Sequence, residues 1–508
     1  MKITVLSIFT IKIIIFGIAE FHIFKKISMS IKLYNTLTKE IELFKPIKRG
    51  EVKIYSCGPT VYNYAHIGNL RAFLCADLLQ RTLKVVDGYK ITWVMNITDI
   101  DDKTIKNISD ETQWKPQMGV RSNDIIENLK NFTSYYKDEF HKDIRLLGLS
   151  MSHFHDFPRA TDFIEEMKSL IVLIANNGFA YESGGSVYFN VGKWKDTDKY
   201  GKLKNLDFDN FRSGERVDSD EYEREQVSDF VLWKAKKEGE PSWEFEFEGK
   251  TLIGRPGWHL ECSVMEKEIL GLPFDIHTGG IDLQFPHHED EIAQSKAGYG
   301  KEPTNYWFHN EFLQVEGQKM SKSARNFYTL RDLIDKGLDP IDVRFAMLSA
   351  HYRSKYNFTF DDVEAASKSR KRIQRYVYEL ISNNVGHDYV DVTLFSEKFF
   401  NHLKNDLHTP KALGELFTFI NKNAAIVMGR NTRDEMLEFF KEFNEIFGIL
   451  SFEMPDEDIP EEITMLATKR IEAKKSKNYD LADMLRIEIN NRGYVIKDTA
   501  EGFEIEKL

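Results

Sequence analysis

The order of strands and helices near residue 53 constrains the fold more than any other feature of the chain. An apolar strand is predicted at residues 53–56, followed by a turn and by a helix over about residues 70–83. A second strand at residues 90–97 and another helix continue this order to about residue 144. Strands that alternate with helices in this way predict a doubly wound parallel sheet, the Rossmann-type α/β fold.

Chemically active side chains follow both of these predicted strands directly. Cys57 and the segment His66-Ile67-Gly68-Asn69 come after the first strand, and Thr98 comes after the second. Ligands of an open parallel sheet bind in the crevice at the carboxyl ends of its strands. The backbone amides at the start of the first helix could face a phosphate there. The sequence therefore predicts a phosphate-binding site at this edge of the sheet.

A polar loop far along the chain supplies two cations for such a site. It begins at a glycine and contains Lys319-Met320-Ser321-Lys322-Ser323. When a nucleoside triphosphate is cleaved between its α and β phosphates, negative charge develops on the phosphate oxygens, and lysine ammonium groups held close neutralise it. Each segment alone is a weak signal, but together they predict one ATP site.

Four residues of the types that bind zinc lie between and beside these segments. They are Cys57, Cys262, His287 and Glu291. Pro286 is predicted as the first residue of a helix, and the i, i+4 spacing then places His287 and Glu291 on one helix face. His288 and Glu289 are turned from His287 by roughly 100° and 200°. We therefore expect His287 and Glu291 to be the two ligands on this helix.

Length and cysteine content set broad limits on the protein. At 508 residues several domains are expected, because a single core usually stops growing near ~250 to 300 residues. The three cysteines are too few for a disulfide framework, which favours a reducing compartment and predicts a cytoplasmic protein. Cys75 lies in the apolar stripe of the first helix and is expected to be a small buried side chain.

The charge of the chain is unevenly distributed. Its net charge of −11 opposes binding to a polyanion, because phosphate contacts need clustered lysine and arginine. Basic clusters do occur at residues 368–372 and 469–477. Such clusters are more often solvated faces than binding surfaces, so they agree with a nucleic-acid partner without identifying one.

In the phosphate-site and lysine segments and in the four zinc-type residues described above, the chain resembles the class I cysteinyl-tRNA synthetases. The resemblance runs from about Lys32 to the end of the chain. The resemblance also rests on the segments at residues 57–62, 96–103, 256–262 and 279–289. The chain departs from the family at Asn69, where the first signature usually ends in a second histidine. An asparagine still donates a hydrogen bond but cannot carry a proton or a positive charge. We therefore expect intact nucleotide binding, and the contribution of Asn69 to transition-state stabilisation stays open.

The resemblance implies ATP-dependent ligation of L-cysteine to tRNA(Cys) through a cysteinyl-adenylate, with Mg²⁺ accompanying ATP. It also implies one Zn²⁺ per chain, which would bind the substrate as a thiolate and so distinguish cysteine from serine. The zinc ligands would be the four residues named above, Cys57, Cys262, His287 and Glu291. A monomer is expected. No membrane partner is expected, because Lys12 and Glu20 interrupt the most apolar stretch of the chain.

The same resemblance gives other residues a role. The catalytic residues would be His66, Lys319 and Lys322. The ATP-binding residues would be His66, Gly68, Asn69 and Lys322. The substrate-binding residues would be Thr98, Trp258 and Asp282, with Asp282 as the partner of the substrate ammonium group. For His259 and His277 two interpretations stay open, a contact with the substrate or a hydrogen-bonded place in the core.

Changes of pattern along the chain predict its domains. Residues 1–28 are expected to be an upstream extension outside the fold, since Met29 offers a start from which the resemblance begins. The catalytic domain is expected in two halves, at residues 29–146 and 227–330, with the signature loop in the second half. A connective insertion at residues 147–226 would separate the halves. A helical stem and bundle at residues 331–454 and a small C-terminal unit at residues 455–508, which binds the anticodon in the family, would follow.

Further elements are predicted inside these domains. Strands at residues 230–234 and 274–277 are expected to resume the parallel sheet. A helix with apolar residues at helical spacing is expected at residues 361–384. The C-terminal unit is expected to hold one long helix and a strand pair near residues 494–496 and 503–505.

Two other functions stay open at this point. A zinc-dependent ligase could make the same cysteinyl-adenylate and pass the cysteine to a small amine acceptor. The long basic tail after the signature loop favours a tRNA acceptor, because a small acceptor does not require it. A catalytically silent RNA-binding relative is the third class, and the presence of both lysines together with all four ligand residues opposes it.

Overall fold

The structure is a computed structural model that describes residues 31–204, 229–320, 326–382, 386–454, 459–499 and 502–507. It comprises two compact units, Met1–Leu450 and Ser451–Leu508. The predicted extension at residues 1–28 lies outside the described residues, and so does Lys322 of the signature loop. Within the described parts, none of the helices combines the length and the apolar character that crossing a membrane would require.

The strands are numbered here in chain order. They are β1 (Lys32–Asn35), β2 (Glu40–Leu43), β3 (Glu51–Ser56), β4 (Lys90–Met95), β5 (Ala180–Ser183), β6 (Ser186–Phe189), β7 (Val231–Ala235), β8 (Trp243–Phe247), β9 (Lys250–Pro256), β10 (Phe274–Gly280), β11 (Thr304–Asn310), β12 (Leu313–Val315), β13 (Gln318–Lys319), β14 (Tyr356–Phe358), β15 (Tyr494–Thr499) and β16 (Gly502–Lys507).

The α-helices are numbered in the same way. They are α1 (Ile67–Asp87), α2 (Asp102–Ser109), α3 (Ile125–Leu146), α4 (Ile164–Asn176), α5 (Val191–Lys195), α6 (Trp258–Leu270), α7 (His287–Tyr299), α8 (Leu330–Asp335), α9 (Pro340–Ser349), α10 (Phe360–Ser382), α11 (Val392–Lys404), α12 (Thr409–Lys422), α13 (Arg430–Phe447), α14 (Glu461–Lys475) and α15 (Tyr479–Asn491).

A four-stranded parallel sheet forms the centre of the first unit. Its strand order is β11-β10-β3-β4, and every neighbouring pair is parallel. Val52, Ile54 and Tyr55 of β3 are buried, as expected for a strand covered on both faces of the sheet. The α/β prediction is therefore confirmed. The carboxyl ends of β3, β4 and β10 bring Cys57, Thr98 and the segment after Gly280 to one edge of the sheet.

A second sheet of five antiparallel strands has the order β5-β6-β7-β9-β8. The prediction that residues 230–234 resume the parallel sheet is wrong, because β7 pairs with β6 and β9 instead. An apolar run predicts a buried strand but does not specify its pairing partner. The prediction for residues 274–277 is confirmed by β10, whereas β11, the fourth parallel strand, was not predicted.

The helical part of the first unit follows the signature loop. Ile373, Val377 and Leu380 of α10 are buried at the predicted helical spacing. The basic cluster at residues 368–372 lies in the middle of this 23-residue helix. The phenylalanines of α11 and α13 pack together, with the rings of Phe399 and Phe439 5.1 Å apart between centroids. Aromatic packing of this kind holds the bundle together.

The described residues of the C-terminal unit form two helices, not the single long helix that was predicted. The first, α14, ends before Ser476, and Lys477 then adopts a left-handed φ of 61°. The side chain of Asn478 accepts a hydrogen bond from the Leu481 amide and starts α15. The predicted strand pair is confirmed by antiparallel β15 and β16. The core of this unit consists of Ile463, Ala467, Ile489 and Ile496.

Candidate active site

Four side chains converge from three elements at the carboxyl edge of the parallel sheet. Cys57 follows β3, Cys262 lies on α6, and His287 and Glu291 lie one turn apart on α7. Their donor atoms all lie within 4.8 Å of one another. Cys57 Sγ is 3.8 Å from Cys262 Sγ, and His287 Nε2 is 3.0 Å from Glu291 Oε1. The structure thus brings together the four residues that the sequence indicated as zinc ligands.

The geometry of this cluster fits a tetrahedral zinc ion. Zinc–sulfur bonds are about 2.3 Å long, so two sulfurs bound to a tetrahedral zinc lie ~3.8 Å apart. The observed separation of Cys57 and Cys262 matches this value. Both cysteines are free thiols, since a disulfide would bring the sulfurs to ~2.05 Å. Two sulfurs, one imidazole and one carboxylate are a donor set that zinc accepts.

The electrostatics of the cluster also favour a cation. Burial raises the pKa of the Cys57 thiol to about 12 and the pKa of the Cys262 thiol well above its usual range. Without a positive charge beside them, both thiols would therefore be protonated at neutral pH. A dication among them would stabilise the two thiolates, and metal binding would release their protons.

His288 lies closer to the cluster than helical spacing predicted. Its Nε2 atom is 3.2 Å from Cys57 Sγ, although its side chain leaves α7 on a different face from His287. Cys57, His277, His288 and Glu291 form a second, overlapping group of possible metal ligands. Helical spacing alone excluded His288 from the predicted ligands on α7. Its ring nevertheless contacts Cys57 Sγ, which lies on a different element, after β3. The expectation that His288 turns away from the cluster is therefore wrong.

The two histidines with an open role contact the proposed ligands. His259 Nδ1 is 2.9 Å from His287 Nδ1, and His277 Nε2 is 2.8 Å from Glu291 Oε2. Trp258 stacks on the His287 ring with 4.3 Å between the ring centroids. These contacts orient the side chains of the cluster, and partners of this kind usually tune a metal site strongly.

Side chains of the first signature segment cap the start of α1. His66 is the N-cap residue, and its Nδ1 accepts hydrogen bonds from the amides of Gly68 and Asn69 at 3.1 and 3.2 Å. The Asn69 side chain accepts in turn from the His66 amide, which completes a capping box. Burial, with Lys103 nearby, lowers the pKa of His66 to about 4. The ring is therefore neutral at pH 7 and carries its proton on Nε2.

The prediction that the first amides of α1 face a phosphate needs correction. The Gly68 and Asn69 amides are bonded to His66, and the Ile67 amide donates to the Tyr328 carbonyl at 3.0 Å. A capping side chain satisfies donors that would otherwise be free at a helix start. His66 Nε2 and the exposed Asn69 side chain remain as the groups that this segment offers to a ligand.

The two signature segments meet in space although they are far apart in the sequence. Tyr328, just after the signature loop, bonds to the first residue of α1 as described above. An added Cβ at Gly68 would lie 3.1 Å from Met320 Cε and 2.9 Å from the His66 ring. Gly68 therefore lets Met320 approach the start of α1 closely. Lys319 ends β13, but its side chain and Lys322 lie outside what the structure describes.

The predicted substrate-binding residues occupy different surroundings. Trp258 lies against the metal cluster, and Thr98 is buried beside α6, where its hydroxyl donates to Glu261 Oε2 at 2.9 Å. Asp282 is exposed in a short 3-10 turn, Ile281–Gln284, that follows β10. Sequence reasoning did not single out Glu261, although its position next to Cys262 was a signal that could have done so.

Comparison with known proteins defines the class first. The family model described as tRNA synthetases class I (C) catalytic domain matches residues 43–368. A Mycobacterium tuberculosis methionyl-tRNA synthetase in complex with methionyl-adenylate has a similar fold, with a TM-score of 0.52 at 12% identity over 78% of this chain and 89% of that one. A LeuRS–tRNA–LeuAMS complex from Agrobacterium radiobacter gives 0.56 at 10% identity over 80% and 85%. These two structures share the fold alone.

Relatives with higher sequence identity define the family within this class. A cysteine–tRNA ligase of Brachyspira hyodysenteriae is 44% identical over 93% of this chain and 98% of its own length. Cysteine–tRNA ligases of Protochlamydia amoebophila and Leptospira interrogans are 39% and 40% identical, each over 94% of this chain and 98% and 100% of their own lengths. The chain belongs to the cysteinyl-tRNA synthetase family of class I aminoacyl-tRNA synthetases.

Proposed function

We propose that the chain ligates L-cysteine to tRNA(Cys) through a cysteinyl-adenylate, with Mg²⁺-ATP as the energy source and one zinc ion as the selector of cysteine. The observation that carries this proposal is the convergence of Cys57, Cys262, His287 and Glu291 within 4.8 Å. Cys57 stands only nine positions before His66 on the same strand edge, which supports a metal close to the nucleotide.

The proposed ligand set would select the substrate through its sulfur. Zinc, when bound, would stabilise the substrate thiolate, whereas the hydroxyl of serine would stay protonated and bind weakly. Apolar pockets distinguish side chains that differ by one methylene by only ~1 to 3 kcal/mol and often need a proofreading site. Trp258, which stacks on His287, would form a wall of the amino-acid pocket and hold this ligand in place.

In the first step, the carboxylate of cysteine attacks the α-phosphorus of ATP, the bond to the β-phosphate oxygen breaks, and pyrophosphate leaves. His66 would donate its Nε2 proton in a hydrogen bond to a phosphate oxygen as a neutral group. Lys319 and Lys322 would neutralise the charge that develops there, and Gly68 would let adenosine lie against the backbone. As in other phosphoryl transfers, positioning and electrostatics would dominate.

In the second step, the terminal ribose hydroxyl of tRNA attacks the cysteinyl carbonyl, and AMP leaves with the electron pair of the broken acyl–phosphate bond. Thr98 and Asp282 would hold the polar groups of the cysteine during both steps. The C-terminal unit would bind the anticodon, supported by its basic residues at positions 469–477. We further propose that the protein acts as a cytoplasmic monomer.

The test is cysteine-dependent exchange of pyrophosphate into ATP, measured with and without a zinc chelator, followed by charging of tRNA. We expect exchange that requires cysteine, falls with the chelator, returns with added Zn²⁺, and is followed by charging. Exchange without charging would favour the ligase for a small amine acceptor. Chelator-resistant exchange that still prefers cysteine to serine would refute the role of zinc.

A further inference from the structure

Arg71 lies in the second turn of α1 and is completely buried, with 0% of its surface exposed. Its guanidinium group donates hydrogen bonds to four backbone carbonyl groups. Nη1 donates to the carbonyls of Glu311 and Phe312 at 3.2 and 2.8 Å. Nη2 donates to the carbonyls of His351 and Ser354 at 3.3 and 2.7 Å. Arg71 therefore joins α1 to two segments that are far from it in the sequence.

Backbone carbonyl groups, and not a carboxylate, surround this guanidinium. Among the residues that the structure describes, no carboxylate forms an ion pair with Arg71. The guanidinium carbon lies 5.2 Å from the centroid of the Tyr356 ring. Only the planar fork of an arginine points two pairs of N–H groups at two segments at once. Arg71 thus fixes the distances between three pieces of backbone.

Both segments bonded by Arg71 lead directly into the small sheet β13-β12-β14. The first segment ends where β12 begins, and the second ends two residues before β14 begins. β12 pairs with β13, in which Lys319 lies opposite Gln314. The hydrogen bonds of Arg71 therefore hold the base of the strand pair that ends at Lys319, one of the two signature lysines.

The first turn of α1 is also bonded to the chain just after the signature loop. The Ile67 amide donates to the Tyr328 carbonyl at 3.0 Å, and the rings of His66 and Phe327 lie 5.0 Å apart between centroids. Arg71 holds the chain before the loop, and the start of α1 holds the chain after it. Both ends of the segment that carries the loop are therefore fastened to the helix that His66 caps.

Building on the proposed function, we propose that Arg71 is a positioning residue for cysteinyl-adenylate formation, which holds the strand that ends at Lys319 in register with His66. Arg71 acts through its backbone hydrogen bonds, since its buried side chain has no surface open to a substrate. A displacement of ~1 Å in a reacting group can cost ~100-fold in rate. The effect falls on kcat, because the lysine is needed most while negative charge develops on the phosphates.

The first experiment replaces the fork and keeps the charge. Arg71→Lys retains an ammonium group with three N–H donors but cannot reach both pairs of carbonyls. In cysteine-dependent pyrophosphate exchange we expect kcat to fall ~10-fold or more. The KM for cysteine should change by less than ~2-fold, because the proposed cysteine contacts do not involve this sheet. The melting temperature is measured beside the kinetics.

Arg344→Lys is the matched control. Arg344 on α9 is also fully buried, and it donates to the carbonyls of Leu147 and Phe447. The same substitution there should lower the melting temperature and leave kcat within ~2-fold of wild type. Kinetics are run well below both melting temperatures, and kcat is referred to the chains that form adenylate in a single turnover. A less stable protein is then not mistaken for a slower one.

The second experiment tests whether Arg71 acts through the signature strand. Lys319→Ala removes one of the groups that Arg71 is proposed to position. The double variant Arg71→Lys with Lys319→Ala should therefore lose clearly less kcat than the product of the two single losses. If the two losses simply multiply, Arg71 does not act through Lys319 and the proposal is refuted.

Three further results would overturn the proposal. They are an unchanged kcat in Arg71→Lys, an equal fall of kcat in the Arg344→Lys control, and a rise in the KM for cysteine as large as the fall in kcat. If Arg71→Lys does not fold, Arg71→Gln, a neutral side chain with two N–H donors, replaces it with the same expected result. If wild type shows no cysteine-dependent exchange, the proposed function itself fails, whereas a contrary pattern in an active wild type refutes only this inference.

Discussion

The partners of single atoms decide which chemistry each residue can offer. The His66 ring has its Nδ1 committed to two backbone amides, so only Nε2 is free to meet a phosphate oxygen. With a pKa of about 4, this ring acts as a neutral hydrogen-bond donor at physiological pH. In the proposed reaction, the positive charge that neutralises the phosphates would therefore come from the signature-loop lysines and from the magnesium that accompanies ATP.

Asn69 accepts a hydrogen bond at the start of α1 and is proposed to contact ATP, and two variants separate these roles. Asn69→Asp keeps an oxygen that accepts from the His66 amide, so the helix start should be as stable as in wild type. The new negative charge would face the phosphates, and we expect the KM for ATP in exchange to rise ~10-fold. Asn69→Ala, which loses the cap, should lower the melting temperature. Equal melting losses in both variants would contradict this division.

The metal cluster makes a prediction that needs no activity measurement. Cys57→Ala should lower zinc affinity by at least ~100-fold, because even a contact behind a ligand is worth 10- to 100-fold. Cys75→Ala is the matched control, since Cys75 is a buried thiol on α1 that is not part of the cluster. Elemental analysis after dialysis should find about one zinc per chain in wild type and the control. Full zinc content in Cys57→Ala would contradict the ligand assignment.

At the scale of elements, a buried ionic network ties the first helix of the sheet to the helical bundle. Asp77 on α1 contacts Arg81, and Arg344 on α9 reaches the same carboxylate at 2.7 Å. Arg81 also donates to the Glu445 carbonyl, and Arg344 donates to the Phe447 carbonyl. The helix that begins at the signature segment is thereby bonded to the end of α13.

Removing the carboxylate of this network should destabilise the first unit. Asp77→Asn leaves two buried arginines without their counter-ion, which typically costs ~3 to 5 kcal/mol. Glu438→Gln, in the exposed pair with Lys441, is the control and should cost less than ~1 kcal/mol. The measurement is the free energy of urea unfolding of both variants against wild type at pH 7.

The difference in unfolding free energy between wild type and Asp77→Asn should depend on pH. Burial alone would raise the pKa of Asp77, but Arg81 and Arg344 outweigh it and lower the pKa well below its usual range. A carboxylate with a lowered pKa stabilises the fold above its unfolded pKa of ~3.9, and this stabilisation is lost as the pH falls further. The gap between wild type and Asp77→Asn should therefore be constant from pH 7 to ~5 and narrow below pH ~4. A gap that widens in acid would contradict the assignment.

At the scale of the molecule, local patterns were predictable and distant pairings were not. The first strands and helices and the periodic face of α10 follow from residues near one another in the sequence. Residues 230–234 do form a strand, but in another sheet, because pairing depends on residues far away. The second C-terminal helix was missed because the break at Lys477 is a single left-handed residue in an otherwise helical pattern.

The same distinction holds within the candidate site. The residue types and spacing of Cys57, Cys262, His287 and Glu291 were enough to expect one cluster. The contact of His288 with Cys57 depends on how α7 faces β3, which no spacing rule reveals. The contact of Thr98 with Glu261 depends on how α6 lies beside the end of β4, and it becomes known only from three-dimensional distances.

The proposed role of the C-terminal unit predicts that variants in this unit can weaken tRNA binding without changing amino-acid activation. Lys475 and Lys477 are exposed, whereas Lys474 pairs with Asp498. The double variant Lys475→Ala with Lys477→Ala should raise the KM for tRNA in charging severalfold and make its salt dependence shallower. Pyrophosphate exchange, measured without tRNA, should not change. A loss of exchange would mean that these lysines act on the catalytic unit instead.

The helix cap at His66 would make the proposed nucleotide site resistant to acid. The nitrogen that would take up a proton is the same nitrogen that secures the first turn of α1. Protonation of Nδ1 would therefore break the hydrogen bonds from the Gly68 and Asn69 amides that hold the first turn of α1, and this cost opposes formation of the imidazolium. A drift of about one pH unit around neutrality would therefore leave the proposed contact between His66 and a phosphate unaltered.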